Sequence, residues 1–204
     1  MGFYQDRIYP RLIDLLGDPR PIRELRQRVI PQASGNVLEI GVGAGANFPH
    51  YDAAVVTKLF ALEPNERMVS LAEQRRPPEL NVEYLTFPGE DIPLDDGSVD
   101  TVVSTFTLCT VPDPSAVVRS IHRALRPQGR LIFCELGAAP DPGVRRWQQR
   151  WEPVHRRLFA GLSMTRDIPG LLTQEGFRYE EVEERYLAQF PKPWTHCWWG
   201  TASR

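Results

Sequence analysis

The sequence predicts an α/β protein built on a mainly parallel sheet with helices on both faces. Three observations carry that expectation. Short β-prone apolar runs alternate with helical patterns through residue 136, the arrangement that parallel sheets require. The first run, Val37-Leu38-Glu39-Ile40, opens directly into the glycine-rich turn Gly41-Val42-Gly43-Ala44-Gly45. The chain has 204 residues, enough for one domain with a sizeable core and small for two; residues 1–204 are therefore read as one domain.

In chain order, Tyr4, Ile8, Leu12 and Leu16 share one helical stripe with Asp6, Arg7, Arg11 and Asp14 on the other faces, so an amphipathic helix is expected, ended near Gly17 and Pro19. It either packs on the domain or closes over the site as a lid, in which case Tyr4 lines the pocket; residues 1–34 form this N-terminal helical segment. A second helix runs from Pro21 to about Ile30. After the glycine turn, Val55 to Leu62 is a buried strand ending in Glu63-Pro64-Asn65, followed by a helix to Arg76 that Pro77-Pro78 stops. A short strand, Val82 to Phe87, leads into Gly89-Glu90-Asp91. Asp95-Asp96-Gly97-Ser98 is a turn, Val99 to Ser104 a strand, Pro112-Asp113 to Leu125 a helix, and Leu131 to Leu136 the next strand. Arg145 to Gly161 is a helix within a 141–175 insertion. Phe177 to Leu187 alternates apolar and charged positions, a long strand with one wet face, and Trp194 to Thr201 is its antiparallel partner.

The glycine turn is a nucleotide-site signature, because glycines let the backbone turn tightly and approach a ligand. Gly41, Gly43 and Ala46 satisfy a dinucleotide pattern as well. Glu39 favours another cofactor. At the strand tip an acidic side chain accepts from a cationic amine and would repel a pyrophosphate, whereas S-adenosyl-L-methionine carries an ammonium and a sulfonium and no phosphate. Glu63 stands at about the 20-residue spacing at which an acidic residue holds ribose hydroxyls, and Pro64 follows it. Glu90 and Asp91 are both candidates to accept from an adenine amine. Ligands of such sheets bind at the carboxyl ends of the strands, where Gly41, Glu63, Asp91, Thr105 and Glu135 gather.

With 24 Lys+Arg against 26 Asp+Glu, charge is nearly balanced, so no electrostatic footprint argues for nucleic acid and a small molecule is the expected substrate. Cys109, Cys134 and Cys197 are odd in number and lack CxxC spacing, which suits a reduced, cytoplasmic protein. No apolar run approaches the ~20 residues of a membrane span, so no integral membrane anchor is expected. His196 and Cys197, adjacent on a strand, point to opposite faces and have no further ligand at suitable spacing, so no metal site is expected.

Taken together, these residues resemble the class I S-adenosylmethionine-dependent methyltransferases. The matching pieces are Val37 to Gly45, Leu62-Glu63-Pro64, Gly89-Glu90-Asp91-Ile92-Pro93, Asp96-Gly97-Ser98-Val99-Asp100 and Leu125-Arg126-Pro127-Gln128-Gly129-Arg130-Leu131. The resemblance implies a Rossmann-like, seven-stranded sheet whose last strand runs antiparallel, with S-adenosyl-L-methionine as cofactor and S-adenosyl-L-homocysteine as product. Gly45-Ala46-Asn47-Phe48, Thr107 to Val111, Trp147-Gln148-Gln149, Pro153, His155, Leu158 to Gly161, Thr165-Arg166-Asp167 and Trp194 to Ala202 are similar to the methyltransferase-like enzymes that methylate alkyl thiols and to their bacterial relatives. Asn47 joins the expected cofactor residues on this basis. The mammalian members carry an N-terminal hydrophobic anchor; here the chain begins with Tyr4-Gln5-Asp6-Arg7, so that location does not carry over. Leu162-Ser163 stand where the family commonly has a cysteine after the glycine matching Gly161.

For the acceptor, methyl transfer from a sulfonium needs alignment and a dry site more than side-chain chemistry, and a thiol with pKa about 8.5 is an adequate nucleophile once ionised. The insertion at 141–175 is the expected substrate cap. Trp147, Trp151, His155 and Phe159 recur every four residues on one helical face, either packing or lining a pocket. His155 is a candidate proton acceptor or a hydrogen-bonded structural histidine. Cys109 lies just beyond the fourth strand and either faces the expected methyl group or packs, as small cysteines in apolar turns usually do. Trp194, His196 and Trp198 share a strand face and either wall the pocket or finish the core edge. The expected activity is methylation of a small, apolar thiol; the alternatives are an N- or C-methyltransferase of a lipid headgroup, quinone or natural product, a non-catalytic S-adenosylmethionine-binding module, and a dinucleotide oxidoreductase.

Overall fold

The computed structural model describes residues 18–159 and 161–204. The amphipathic stripe from Tyr4 to Leu16, with its lid reading, lies outside them. Seven strands form one sheet: β1 Gly35–Ile40, β2 Val56–Leu62, β3 Val82–Leu85, β4 Val99–Thr105, β5 Leu125–Leu136, β6 Arg178–Tyr186 and β7 His196–Ser203. Their order is β3-β2-β1-β4-β5-β7-β6. β1 to β5 pair in parallel, and β7 runs antiparallel to both β5 and β6. Chain direction in the order reverses between β1 and β4, the switch point at which such sheets open a crevice.

The helices are α1 Arg20–Val29, α2 Glu66–Arg75, α3 Pro114–Ala124, α4 Pro142–Leu158 and α5 Ile168–Gln174. Local chemistry starts each of the short ones. The Asn65 side chain accepts from the N–H groups of Arg67 and Met68 to cap α2, and Asp113 and Asp167 cap α3 and α5 with a proline in each first turn. Side chains alternate across β1, so Val37 packs with Leu25 and Val29 of α1 and Ala72 of α2. Leu38 and Ile40 pack on the opposite face with Val117, Val118 and Ile121 of α3 and Leu172 of α5. Burial on both faces explains the near-continuous apolar character of β1, β4 and β5.

Three details depart from the sequence-based expectation. β5 begins at Leu125, six residues early, because Leu125 already pairs with Val99 of β4, and the ladder resumes at Arg130 opposite Thr101 after a register irregularity that takes up Arg126-Pro127-Gln128-Gly129. α5 was not expected; its seven residues lie after the cap helix and bury Ile168 and Leu172. Trp194 does not belong to β7. It closes a 3-10 turn, Lys192–Trp194, so it does not share a strand face with His196 and Trp198; the two prolines at 191 and 193 keep that stretch out of the ladder. β6 is one of the two sheet edges, and exposed Glu180, Glu181 and Glu184 with half-buried Glu183 leave it charged, a common guard against edge pairing.

Candidate cofactor and acceptor site

The carboxyl ends of β1 and β4 meet in one polar cluster. Glu39, next to last in the motif strand, is buried with 1% exposure. Its Oε1 accepts from Asn47 Nδ2 at 2.8 Å and its Oε2 from the Tyr51 hydroxyl at 2.8 Å. Asn47 Nδ2 also donates to Thr105 Oγ1 at 3.0 Å. Arg26, reaching in from α1, donates through Nη1 to Asn47 Oδ1 at 2.6 Å and to Thr105 Oγ1 at 2.9 Å. Burial pushes the Glu39 carboxyl up to about 7, against the opposing effects of the Tyr51 and Asn47 hydrogen bonds and of the Arg26 charge. The same surroundings raise the Tyr51 hydroxyl, burial first and the neighbouring Glu39 second.

Glu63 sits at the end of β2. Its Oε2 accepts from the Gly43 N–H at 3.0 Å and its Oε1 from the Asn65 N–H at 3.0 Å, while burial raises its pKa. The glycine turn therefore rests on the acid that was expected to hold a ribose, and each oxygen keeps a lone pair for a further donor. The glycines divide by role. A Cβ at Gly41 would stand 2.5 Å from Thr107 Oγ1, where the loop after β4 crosses the strand tip and Thr107 Oγ1 donates to the Ile40 carbonyl at 2.9 Å. A Cβ at Gly43 would have Met68 Cε at 3.5 Å as its only close neighbour among the described residues, so Gly43 presents a surface that those residues leave open. Both have positive φ, 68° and 55°. Gly45 is closed off by the Phe48 ring. Pro64 is exposed; Glu90 is half-buried and Asp91 exposed, and neither side chain has a hydrogen-bond partner among the described residues.

The loop after β4 is held from beneath. Glu135 in β5, fully buried, accepts from Ser104 Oγ at 2.8 Å and from the N–H groups of Thr107, Leu108 and Cys109 at 3.0, 3.1 and 3.1 Å. Burial raises its pKa against those four donors. At the start of the loop Phe106 adopts φ 55°, a strained conformation for an aromatic residue, with the Arg26 guanidinium 5.4 Å from its ring centre. From above, Ser163 N donates to the Cys109 carbonyl at 2.7 Å, and Arg166 donates to the carbonyls of Leu108 and Val111. Cys109 itself is 1% exposed, and burial together with the Glu135 charge pushes its thiol well up. An enclosed sulfur whose thiol is held protonated suits packing in an apolar turn rather than nucleophilic chemistry.

The aromatic stripe of α4 exists as expected. Trp147 lies 5.8 Å from Trp151 and 5.4 Å from His155, ring centre to ring centre, and His155 6.3 Å from Phe159. Trp194 packs edge-on against Trp147 at 5.4 Å and donates from Nε1 to His155 Nε2 at 2.9 Å. That bond occupies the basic nitrogen of a neutral imidazole, and burial lowers the His155 pKa further; the ring serves as the structural histidine rather than a proton acceptor. His196 is buried, its Nε2 3.0 Å from Glu184 Oε2 and its ring 5.2 Å from Trp198. It faces the β6 edge, so it and Trp198 finish the sheet. Trp151 remains 43% exposed. Gln148 pins α4 in place, accepting from Ala139 N at 2.9 Å and donating to the Pro193 carbonyl at 3.0 Å. The Sγ atoms of Cys134 and Cys197 lie 3.6 Å apart as free thiols. Among the described residues no group of His, Cys, Asp or Glu is arranged to hold a metal, and no helix is long and apolar enough to cross a membrane.

Arg26 and Tyr51 were missed, and Thr107 and Glu135, though named, were not foreseen as partners. A polar residue in an otherwise amphipathic helix, or a tyrosine in a loop, carries no periodic signal; only their long-range contacts identify them.

This strand order, with an acidic residue at the tip of β1, a second at the end of β2 and a positive-φ glycine turn between them, defines the class I methyltransferase architecture. Comparison with known proteins agrees. The methyltransferase-domain family matches residues 38–133. Human thiol S-methyltransferase TMT1B is 36% identical over 71% of this chain and 62% of its own length, and human thiol S-methyltransferase TMT1A is 32% identical over 80% and 67%. A demethylmenaquinone methyltransferase of Clavibacter sepedonicus is 31% identical over 58% of the chain and 48% of its own length. Among solved structures, S-adenosylmethionine-dependent methyltransferases of Thermotoga maritima and Mesorhizobium loti share the fold with TM-scores of 0.67 and 0.66 at 20% and 18% identity, covering 97% and 92% of this chain and 98% and 99% of theirs. The chain belongs to the S-adenosylmethionine-dependent methyltransferases, and S-adenosyl-L-methionine is the cofactor that this family and fold imply. The chain spans about 62% of the length of the first of these relatives.

The residues present fit that cofactor. Glu39 offers a buried anion to an ammonium, Glu63 offers free lone pairs at the end of β2 to ribose hydroxyls, and Gly43 leaves open the backbone surface between them.

Proposed function

We propose that this chain transfers a methyl group to a small, apolar thiol. The observation that carries the reading is the likeness to two proteins named thiol S-methyltransferases across 71% and 80% of the chain, extending beyond the nucleotide-binding half into the cap. S-adenosyl-L-methionine, when bound, supplies the electrophilic methyl. The chain's own part is to bind and orient. Glu39, Asn47 and Arg26 take the amino-acid end, Glu63 and the Gly43 turn the ribose, and Glu90 or Asp91 the adenine. The loop from Thr105 to Val111, fixed by Glu135 below and Arg166 above, forms the floor on which the acceptor aligns, and α4 covers it with Trp147 and Trp151. His155 Nε2 is engaged by Trp194 and burial holds the Cys109 thiol well up, so neither of these two groups stands ready as a free base. That favours an acceptor able to ionise near neutral pH by itself, as a thiol does.

The test is release of S-adenosyl-L-homocysteine by the purified chain with S-adenosyl-L-methionine and a panel of alkyl and aryl thiols, hydrogen sulfide, phosphatidylethanolamine and a quinol. Selective turnover of thiols supports the reading. Turnover of the quinol alone would replace it with C-methylation, the reaction class suggested by the name of the Clavibacter relative, and cofactor binding without turnover would reduce the chain to a binding module.

A further inference from the structure

Covering the acceptor accounts for the inner side of α4 but not for its outer one. Gln148 and His155 point inward and are buried. Trp147, Trp151 and Val154 follow one another at spacings of four and three, one ridge along the helix, and Trp151 and Val154 are 43% and 41% exposed. Phe159 at the end of the helix and Trp194, edge-on to Trp147, are each 41% exposed as well. Arg146, Arg150 and Arg157, spaced by four and seven, form the adjoining ridge. All three are exposed, and none has a side-chain hydrogen-bond or ion-pair partner among the described residues. With Arg145 and Arg156 the helix holds five arginines against one acid, Glu152, whose Oε2 accepts from the Met164 N–H at 3.1 Å. Over the whole chain, by contrast, 26 acids outnumber 24 Lys+Arg. Positive charge is therefore concentrated on the one helix that also exposes aromatic surface.

We propose that α4 docks the protein on an anionic phospholipid surface. The helix lies parallel to that surface, with Trp151, Val154, Phe159 and Trp194 in the headgroup region and Arg146, Arg150 and Arg157 on lipid phosphates. An exposed apolar ridge beside a row of cations is the pattern of helices that lie in a membrane interface. The residue types suit it: tryptophan rings settle at the headgroup level, and a guanidinium on its long stem reaches phosphate while its methylenes cover apolar surface. A lipid surface fits better than a protein groove because a helix ridge is convex and this one carries a single sign of charge, so a fluid anionic partner matches it without shape complementarity. Nucleic acid fits less well, since aliphatic Val154 occupies the ridge where a stacking platform needs a ring. Docking of this kind sets the cap of the acceptor site against the bilayer, and it does not depend on which acceptor is methylated.

The experiment is co-sedimentation of the purified chain with vesicles of phosphatidylcholine alone and of phosphatidylcholine mixed with phosphatidylglycerol, at low and at physiological salt, with tryptophan emission recorded in parallel. The proteins are wild type, Arg146→Gln/Arg150→Gln/Arg157→Gln, Trp151→Gln/Val154→Gln and a control, Arg67→Gln/Arg76→Gln/Arg178→Gln, which removes as much charge from exposed sites elsewhere. Thermal unfolding confirms that each is folded. Wild type should bind the mixed vesicles in preference to the neutral ones, shift its emission to the blue and dissociate as salt rises. Near an anionic surface each arginine is worth about a fivefold change in binding, so the α4 arginine variant should bind roughly 100-fold more weakly, and the control close to wild type. Trp151→Gln/Val154→Gln should bind roughly 10-fold more weakly and lose most of the blue shift. Failure of wild type to bind the mixed vesicles would overturn the proposal, as would equal binding to both vesicle types or undiminished binding by either α4 variant. Equal losses in the two arginine variants would reduce the attraction to net charge and overturn it too. So would a wild-type dimer that Trp151→Gln/Val154→Gln dissolves, which would give the face to a second copy, or capture of single-stranded DNA in preference to the vesicles.

Discussion

Glu39→Gln is the perturbation for which the structure supplies a magnitude. The carboxyl is held at about 7 against an ordinary value of 4.5, chiefly by burial, so ionising it in the folded protein costs about 3 kcal/mol more than in the unfolded chain, at about 1.4 kcal/mol per pH unit. The folded pKa is the higher of the two. The associated stability is therefore fully present below about pH 4.5, declines as pH rises, and is gone above about 7. Glutamine carries no such dependence and keeps the geometry: its oxygen accepts from Asn47, and its amide donates to a Tyr51 hydroxyl that rotates to accept. Between pH 5.5 and 8 the stability of Glu39→Gln relative to wild type should rise by about 2 kcal/mol, or roughly 4–8 °C in Tm for a chain of this size. Thermal or urea unfolding of both proteins in parallel measures it, and the subtraction cancels Glu63 and Glu135, which burial also raises. The gain in stability should accompany a loss of cofactor affinity, and wild-type affinity should improve as pH rises to about 7 and then level off, because an ammonium pairs with the ionised carboxylate. A stability difference that stays flat across this range would refute a buried, elevated Glu39.

Further outcomes follow from the same geometry. Gly41→Ala should destabilise the fold, since its Cβ meets Thr107 Oγ1 at 2.5 Å and breaks the bond to Ile40; Gly43→Ala should cost only about 1–2 kcal/mol for its φ yet weaken cofactor binding, and thermal shift with and without S-adenosyl-L-homocysteine separates the two. Glu135→Ala strands three backbone N–H groups and the Ser104 hydroxyl, a loss of about 3 kcal/mol or more, and should appear as faster hydrogen exchange at Thr107, Leu108 and Cys109. Trp194→Phe removes the bond to His155 Nε2 at a cost of about 1 kcal/mol and frees that nitrogen, so the His155 pKa should rise toward its ordinary value by NMR titration; no change would mean that the indole does not hold the ring.

The comparison of expectation with structure follows the range of the signals involved. The strands from Val37 to Leu136, the order of elements and the helix starts near Asn65 and Asp113 were readable because periodicity and helix breaks are local. Glu39 as a strand-tip acid and Gly43 as a turn glycine were readable because a strand tip and a turn need only neighbours in sequence. Trp194 was misplaced by one such argument: alternation assigned it to β7, and Pro191 and Pro193 decided otherwise. His155 and Cys109 were legible as reactive types only, since reactivity depends on which nitrogen is engaged and how dry the sulfur is.

By itself the sequence determined the class of fold and the kind of cofactor, both through the spacing of small, acidic and apolar residues along a few short segments. Tertiary structure alone decided which groups face one another. Arg26 and Thr105 are brought to 2.9 Å across 79 positions, and Glu135 reaches the loop that begins 28 positions before it. No local pattern encodes such contacts, because they depend on how the helices pack across the sheet, and it is this packing that turns Glu39, Asn47 and Arg26 into one site.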